Sequence, residues 1–290
     1  MIMLTILLIV GLGLLVSGLS HRSLAEARDK ATTDALSQAK EALIGRAVTD
    51  ANRPGSLPCP DLATNLVGNI PGDGKADLLS GNDCPSYVGW FPWWTLGLPD
   101  LRDGYGERLW YAFSTTLRDD DSAQPINSST TCALAADGMS QVAAVIIAPG
   151  PALASQNGRP SNNLFDYLDG VNADGDSSYS AGPASDSFND RVMVISCNEL
   201  FRGVSRRVLA ELVGTGDVPT YGLRKYYADN GKYPPPAADL SALPGYPPWI
   251  ADNNWFNVAT YTVTPDQSQA SISSGATTIC TANGLVTTCP

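Results

Sequence analysis

The first 20 residues, MIMLTILLIVGLGLLVSGLS, are apolar and uncharged, and nothing separates them from a helical pattern that lasts to about Ala51. A run of about 20 residues, rising about 1.5 Å each, spans roughly 30 Å, the hydrocarbon thickness of a bilayer. The residues that follow, His21-Arg22-Ser23-Leu24-Ala25-Glu26, contain no Gly/Pro hinge and no small-residue cleavage site, and nothing basic precedes the run. A secretory signal peptide carries both a positive leading region and such a site. The reading is a retained anchor that forms the first half of one long helix.

Charge and cysteines disagree about where the remainder lies. Arg22, Arg28 and Lys30 follow the run, diluted by Glu26 and Asp29. Taken literally, the positive-inside rule keeps residues 21–290 in the cytoplasm. Six cysteines, Cys59, Cys84, Cys132, Cys197, Cys280 and Cys289, argue for an oxidising compartment, periplasm or cell surface. A basic leader once preceding Met1 and since removed resolves the conflict; the alternative is a mis-assigned start. No pair is C-x-x-C, and the single histidine, His21, leaves no Cys/His zinc pattern. Six cysteines allow many connectivities, which sequence does not settle; proximity along the chain favours Cys59–Cys84 and Cys280–Cys289 and leaves Cys132–Cys197. Lys+Arg number 18 against 29 Asp+Glu, a net charge of −11, so no basic stripe is offered to nucleic acid. About 240 residues follow the anchor, enough for one large or two small domains.

From Leu24 the small and apolar residues recur as Leu24, Ala27, Ala31, Ala35, Ala39, Ala42 and Leu43, an i, i+3/i+4 stripe that Asn52-Arg53-Pro54-Gly55 ends. Residues 55–100 read as loop. Strands are expected at 108–114, 142–148 and 191–196, with a polar linker over 149–190. Asn198 is a candidate N-cap for a second amphipathic helix, interrupted at Gly214–Asp217 and resuming over 221–230. Strand candidates follow at 258–264, 269–272 and 277–288. The order helix, Pro turn, G-aromatic-rich-Pro-Trp, aromatic strand occurs twice, through Gly89–Trp93 and Gly245–Trp249, which implies a duplicated unit. The corresponding division is 1–52, 53–196 and 197–290.

The sharpest local cluster is Asp166-Tyr-Leu-Asp169-Gly-Val-Asn172-Ala-Asp174-Gly-Asp176. Oxygen-bearing residues at alternating positions can wrap a hard cation, so Asp169, Asn172, Asp174 and Asp176 are candidate Ca²⁺ ligands, although no glutamate completes an EF-hand. A solvated acidic loop is the competing reading. Asp73 and Asp77, in NIPGDGKAD, form a poorer candidate, better read as a hydrated turn. Trp90, Phe91, Trp93 and Trp94 could stack on sugars, but their setting beside Pro92 favours packing over the long helix. A catalytic role is not expected: His21 lies at the anchor's edge, so no Ser-His-Asp or Cys-His set can form in the outer part.

The anchor, QAKEALIGRAVTDANRPGSLPCPD (38–61), GWFPWWTLGLPDLRDGYGERLWYAF (89–113) and LRKYYADNGKYPPP (223–236) together resemble the type IV pilin and type II secretion pseudopilin superfamily. The resemblance covers about half of the chain by the reckoning of its motifs. It implies an α+β fold: a long N-terminal hydrophobic helix packed on antiparallel sheet, in one or two pilin-like units. It implies a structural subunit, major or minor, held in the bacterial inner membrane and then assembled with copies of itself or related subunits into an extracellular pilus-like or periplasmic pseudopilus filament. Met1, Leu4, Thr5, Leu8, Leu12 and Leu15 would line the filament core. Most major subunits of the superfamily carry glutamate at position 5, and Thr5 favours a minor or initiating subunit, or a filament with a different register contact. The rival expectation is a membrane-tethered binding protein or adhesin acting as a monomer.

Overall fold

The computed structural model describes residues 2–62, 70–78, 84–119, 124–156 and 158–289, with the side chains of the first stretch described from Arg22 onward. Helix α1 (Ile2–Thr49) enters the body at Thr32. From there Thr32, Ala35, Leu36, Ala39, Leu43 and Ala47 are buried along one stripe. The expected stripe begins earlier, yet Leu24, Ala27 and Ala31 are exposed. On one side the body reaches up α1 to the 103–106 turn, where Gly104 N donates to Thr32 Oγ1 at 2.9 Å. That turn needs glycine: a Cβ on Gly104 would stand 2.2 Å from the Arg28 carbonyl oxygen. The helix ends where Asp50 Oδ1 accepts from the N–H groups of Asn52 (2.9 Å) and Arg53 (2.7 Å), just ahead of Pro54.

The first sheet has six strands: β1 (Val88–Trp90), β2 (Trp110–Phe113), β3 (Leu134–Ala136), β4 (Met139–Ala148), β5 (Ser178–Tyr179) and β6 (Arg191–Ser196). Their order is β1-β2-β4-β3-β5, with β6 also paired to β4. Strand β4 is central. Its run Val142–Ala148 is buried on both faces, which is why it reads as continuous apolar sequence and not as alternation. Period-two geometry then sorts neighbours into two layers. Tyr111, Phe113, Ala144 and Ile146 face α1 and the helix α2 (Cys197–Val213). Trp110, Ala112, Val145 and Ile147 face the opposite way, onto Tyr167, Leu168 and Tyr179. The 149–190 segment is thus a lid over the second face of the sheet, not a linker.

Helix α2 packs on α1 and on both sheets. Gly203 permits the α1 contact, since a Cβ there would meet Val48 Cγ2 at 2.8 Å. Its N-cap is Ser196, whose Oγ accepts from Glu199 N at 3.2 Å. Asn198, the expected cap, lies within the first turn; Ser196 holds the extended backbone (φ −73°, ψ 155°) that a cap requires. Helix α3 (Gly222–Asn230) and the short α4 (Pro248–Asp252) and α5 (Trp255–Val258) lead to the second sheet. This is an antiparallel meander of β7 (Thr260–Val263), β8 (Gln269–Ser274), β9 (Thr277–Ala282) and β10 (Leu285–Thr287).

The α+β expectation of a long hydrophobic helix on antiparallel sheet, in pilin-like units, is corrected. The molecule is a mixed α and β structure. Of the N-terminal helix, 22–49 is described in full, and among the described residues no helix is long and apolar enough to cross a membrane. The first sheet is mixed, because β3 pairs parallel with β5 where the lid returns across it. The two halves are not equivalent units: Gly89-Trp90 ends strand β1, whereas Pro248-Trp249 opens helix α4. Residues of both sheets also share one continuous apolar cluster around α2, from Leu43 and Phe113 to Trp255 and Ile272.

Three disulfides are formed, Cys59–Cys84, Cys132–Cys197 and Cys280–Cys289, with Cα separations of 5.4, 5.9 and 5.2 Å. These are the pairs that chain proximity favours. Cys132–Cys197 ties the start of α2 to the segment entering β3.

Candidate functional site

The acidic segment of the lid divides in two. Asp169 and Asn172 are buried. Asp169 Oδ1 accepts from Gln156 Nε2 at 2.8 Å, and Oδ2 accepts from Asn189 N at 2.7 Å and Asp190 N at 3.3 Å. Asn172 Nδ2 donates to Ser180 O and to Asp190 Oδ2, both at 2.9 Å. Asp174 and Asp176 face solvent, each carboxylate accepting from an N–H two residues further on. The four residues expected to share a cation are thus divided between the interior and the solvent face, and among the described residues no group of three or more His, Cys, Asp or Glu side chains is placed to hold a metal ion.

What the structure assembles instead is a buried polar network around Asp190, which sequence reasoning missed. Arg159 anchors it: Nη1 donates to Gly150 O (2.7 Å), Nη2 to Gln156 Oε1 (2.7 Å) and Tyr167 O (3.0 Å), and the guanidinium lies 4.7 Å from the Tyr167 ring centre. Asp190 Oδ2 accepts from Asp169 N at 2.8 Å, while Oδ1 has no partner among the described residues. Burial above all, with the Asp169 charge beside it, pushes the Asp190 carboxyl up to about 7 against the pull of its hydrogen bonds and of Arg159. Arg159, Gln156 and Asp190 lie within a polar stretch that no periodicity distinguishes from loop. The only local signal is Asp190's position immediately before the apolar run of β6.

A second carboxylate is buried between Cys59 and Asp77. Asp61 accepts from Gly72 N (2.9 Å) and Gly74 N (2.7 Å), and the strand-like pair Asp61–Trp90 binds this turn to β1. Burial, opposed by those two hydrogen bonds, raises its carboxyl to about 6. Asp77 is also buried and accepts from Leu62 N at 2.7 Å, whereas Asp73 pairs with Lys75 at 2.9 Å. Asp73 and Asp77 were expected to share a hydrated turn; Asp61, outside that set, is the carboxylate the turn wraps. In the aromatic run Trp90 and Phe91 are core, Trp93 is half-buried and Trp94 is 60% exposed.

The third region is the emergence of α1. Every side chain from Arg22 to Ala31 is exposed. Links to the body there include Arg28 over the Tyr105 ring at 5.0 Å, and Arg191 to Thr33 Oγ1 at 2.9 Å and to Asp29 at 3.4 Å. Further along, Lys40 bonds Val194 O (2.9 Å) and Glu199 (2.8 Å), fastening α1 to β6 and α2. Met1, Leu4, Thr5, Leu8, Leu12 and Leu15, expected to line a filament core, lie outside the residues whose side chains are described, as does His21. Comparison with protein-family models, with curated proteins and with solved structures finds no match for this chain.

Proposed function

We propose that this chain is a structural subunit of an extracellular, type IV pilus-like or pseudopilus filament, assembled through its apolar run 1–20 and held in a bacterial inner membrane beforehand. The observation that carries this reading is the emergence of α1. Every side chain from Arg22 to Ala31 is exposed, about three turns by the helical repeat, with the 103–106 turn and Arg191 touching it on the body's side. The same helix is then wedged into the core by Leu36, Ala39 and Leu43. An apolar run joined to such an exposed stretch of helix has two ways to leave water, lipid and other copies of itself. At about 25 cal/mol per Å², a few hundred Å² of apolar contact with each neighbour contributes several kcal/mol. Contacts between unlike patches that do not close on themselves extend into a helical fibre.

Three disulfides support an oxidising location for the body. The test is electron microscopy of material sheared from cells expressing the full chain, with mass spectrometry of its N-terminus. Filaments containing the chain are expected. Recovery of the chain only as single molecules in the membrane fraction, with no crosslinks between copies through residues 1–20, would overturn the reading and leave the tethered binding protein.

A further inference from the structure

Helix α2 carries three arginines close together, and they have different fates. Arg207 is committed, donating to Val48 O and Asp50 O and lying over the Trp249 ring at 5.2 Å. Arg202 and Arg206, one helical turn apart, are exposed and make no hydrogen bond or ion pair with another described residue. In a chain with 29 acidic residues and 18 basic ones, two adjacent cations without a carboxylate partner are conspicuous.

Both border a cavity of about 810 Å³ between α2 and the β9–β10 hairpin. Its apolar lining includes Ala210, Ile279 and Val286, the last 56% exposed. Arg224 stands at the end of it, with Nε donating to Gly284 O (2.9 Å) and Nη1 to Gly214 O (3.1 Å) and Gly216 O (2.8 Å). These bonds tie the hairpin turn to the α2–α3 loop, while Cys280–Cys289 fastens the tail beyond β10 back to β9. The groove is therefore built before any ligand arrives. Strand β10 is the edge of its sheet, with all three residues exposed and its outer main-chain groups unpaired among the described residues.

We propose that this groove binds an acidic, extended peptide segment of another protein, which adds as a strand to β10 and places carboxylates on Arg202 and Arg206. Each element of the site answers one need of such a ligand. The free strand edge supplies main-chain hydrogen bonds. The apolar floor takes a hydrophobic side chain, and the two guanidinium groups take carboxylates. Arginines four residues apart on a helix are separated by about 6 Å, close to the roughly 7 Å between alternate side chains of a strand. A small inorganic anion would leave the strand edge and the floor unused. A nucleic acid would bring a continuous row of phosphates, more than the arginines bordering this groove can neutralise. The inference is independent of filament assembly.

The test uses the full chain in detergent and fluorescence anisotropy with a labelled peptide of alternating glutamate and valine. Saturable binding is expected, weakened at least tenfold in the double variant Arg202→Ala/Arg206→Ala, and also in Val286→Glu, which keeps both arginines. Melting temperatures of the variants identify any that fail to fold. A lysine/valine peptide should not bind. Three outcomes overturn the proposal: no saturable binding, equal binding by folded variants, or full displacement by inorganic phosphate at concentrations that leave ionic strength unchanged. Self-association lost in the arginine variant without any peptide binding would assign the groove to a second copy and overturn it too.

Discussion

Asp190 is 3% exposed, and its carboxyl titrates near 7 because burial penalises the charge more than Asn172 and Arg159 repay it. A carboxyl whose folded-state value lies above its unfolded one favours folding while protonated. Its contribution is full below pH about 4 and is lost as pH rises through about 7. Asp61, raised to about 6, acts in the same direction. The molecule is therefore expected to melt several degrees higher at pH 5 than at pH 8, read by circular dichroism. Asp190→Asn, which keeps the acceptor toward Asp169 N, should flatten that dependence and stabilise most at pH 8. A pH profile unaltered by the substitution would refute the assignment. Tyr111 is the opposite kind of residue: its ring is fully buried between Phe91 and Phe113, and its hydroxyl has no partner among the described residues. Tyr111→Phe removes a buried polar group without opening a cavity and should raise stability by about 1 kcal/mol in urea titration.

The helix α1 and the disulfides carry the next level of organisation. Leu43 is fully buried where α1 meets the shared core. Leu43→Ala should cost about 3 kcal/mol, the sum of lost transfer energy and the cavity left behind. The same substitution at Leu24, half-exposed on the same helix, should be nearly neutral, and a comparable loss at both sites would contradict the position at which α1 enters the body. Cys132–Cys197 closes a separation of 65 residues, Cys280–Cys289 one of 9. Chain entropy alone assigns them about 4 and about 2.5 kcal/mol, so serine pairs should rank in that order. Elements with strong local signatures are readable in the chain: β4 and β6 as apolar β-branched runs, α2 by its periodicity, the end of α3 by Gly231. Strands β1, β3 and β5 are not, because each is two or three residues long and exists only through its neighbours' hydrogen bonds.

For the molecule as a whole, assembly and folding are expected to separate. Among the described residues, α1 contributes to the core around α2 through Ala35, Leu36, Ala39, Leu43 and Ala47. Leu12→Lys, placing a charge in that run, should abolish recovery of the chain in sheared filaments. The melting temperature of the detergent-solubilised protein should stay as in the parent. Joint loss of both would mean that the apolar run belongs to the folded core, contrary to the proposed function.

Composition and local order determined what one chain segment can decide alone: an apolar leading run, an acidic body with six cysteines, the buried part of the helix stripe at Ala35, Ala39 and Leu43, and the strongest strands. Each rests on contacts between residues near in sequence, or on patterns repeated along one element. The fold of the lid, the parallel β3–β5 pair, the common core of two dissimilar sheets and the buried Asp190 were decided only by tertiary structure. So was the division of the Asp169–Asp176 segment, two residues going inward and two outward. Burial and charge environment are set by what arrives from elsewhere in the chain. Arg159, Gln156 and Asp169 acquire their meaning only when the lid closes over β4, which no local pattern encodes.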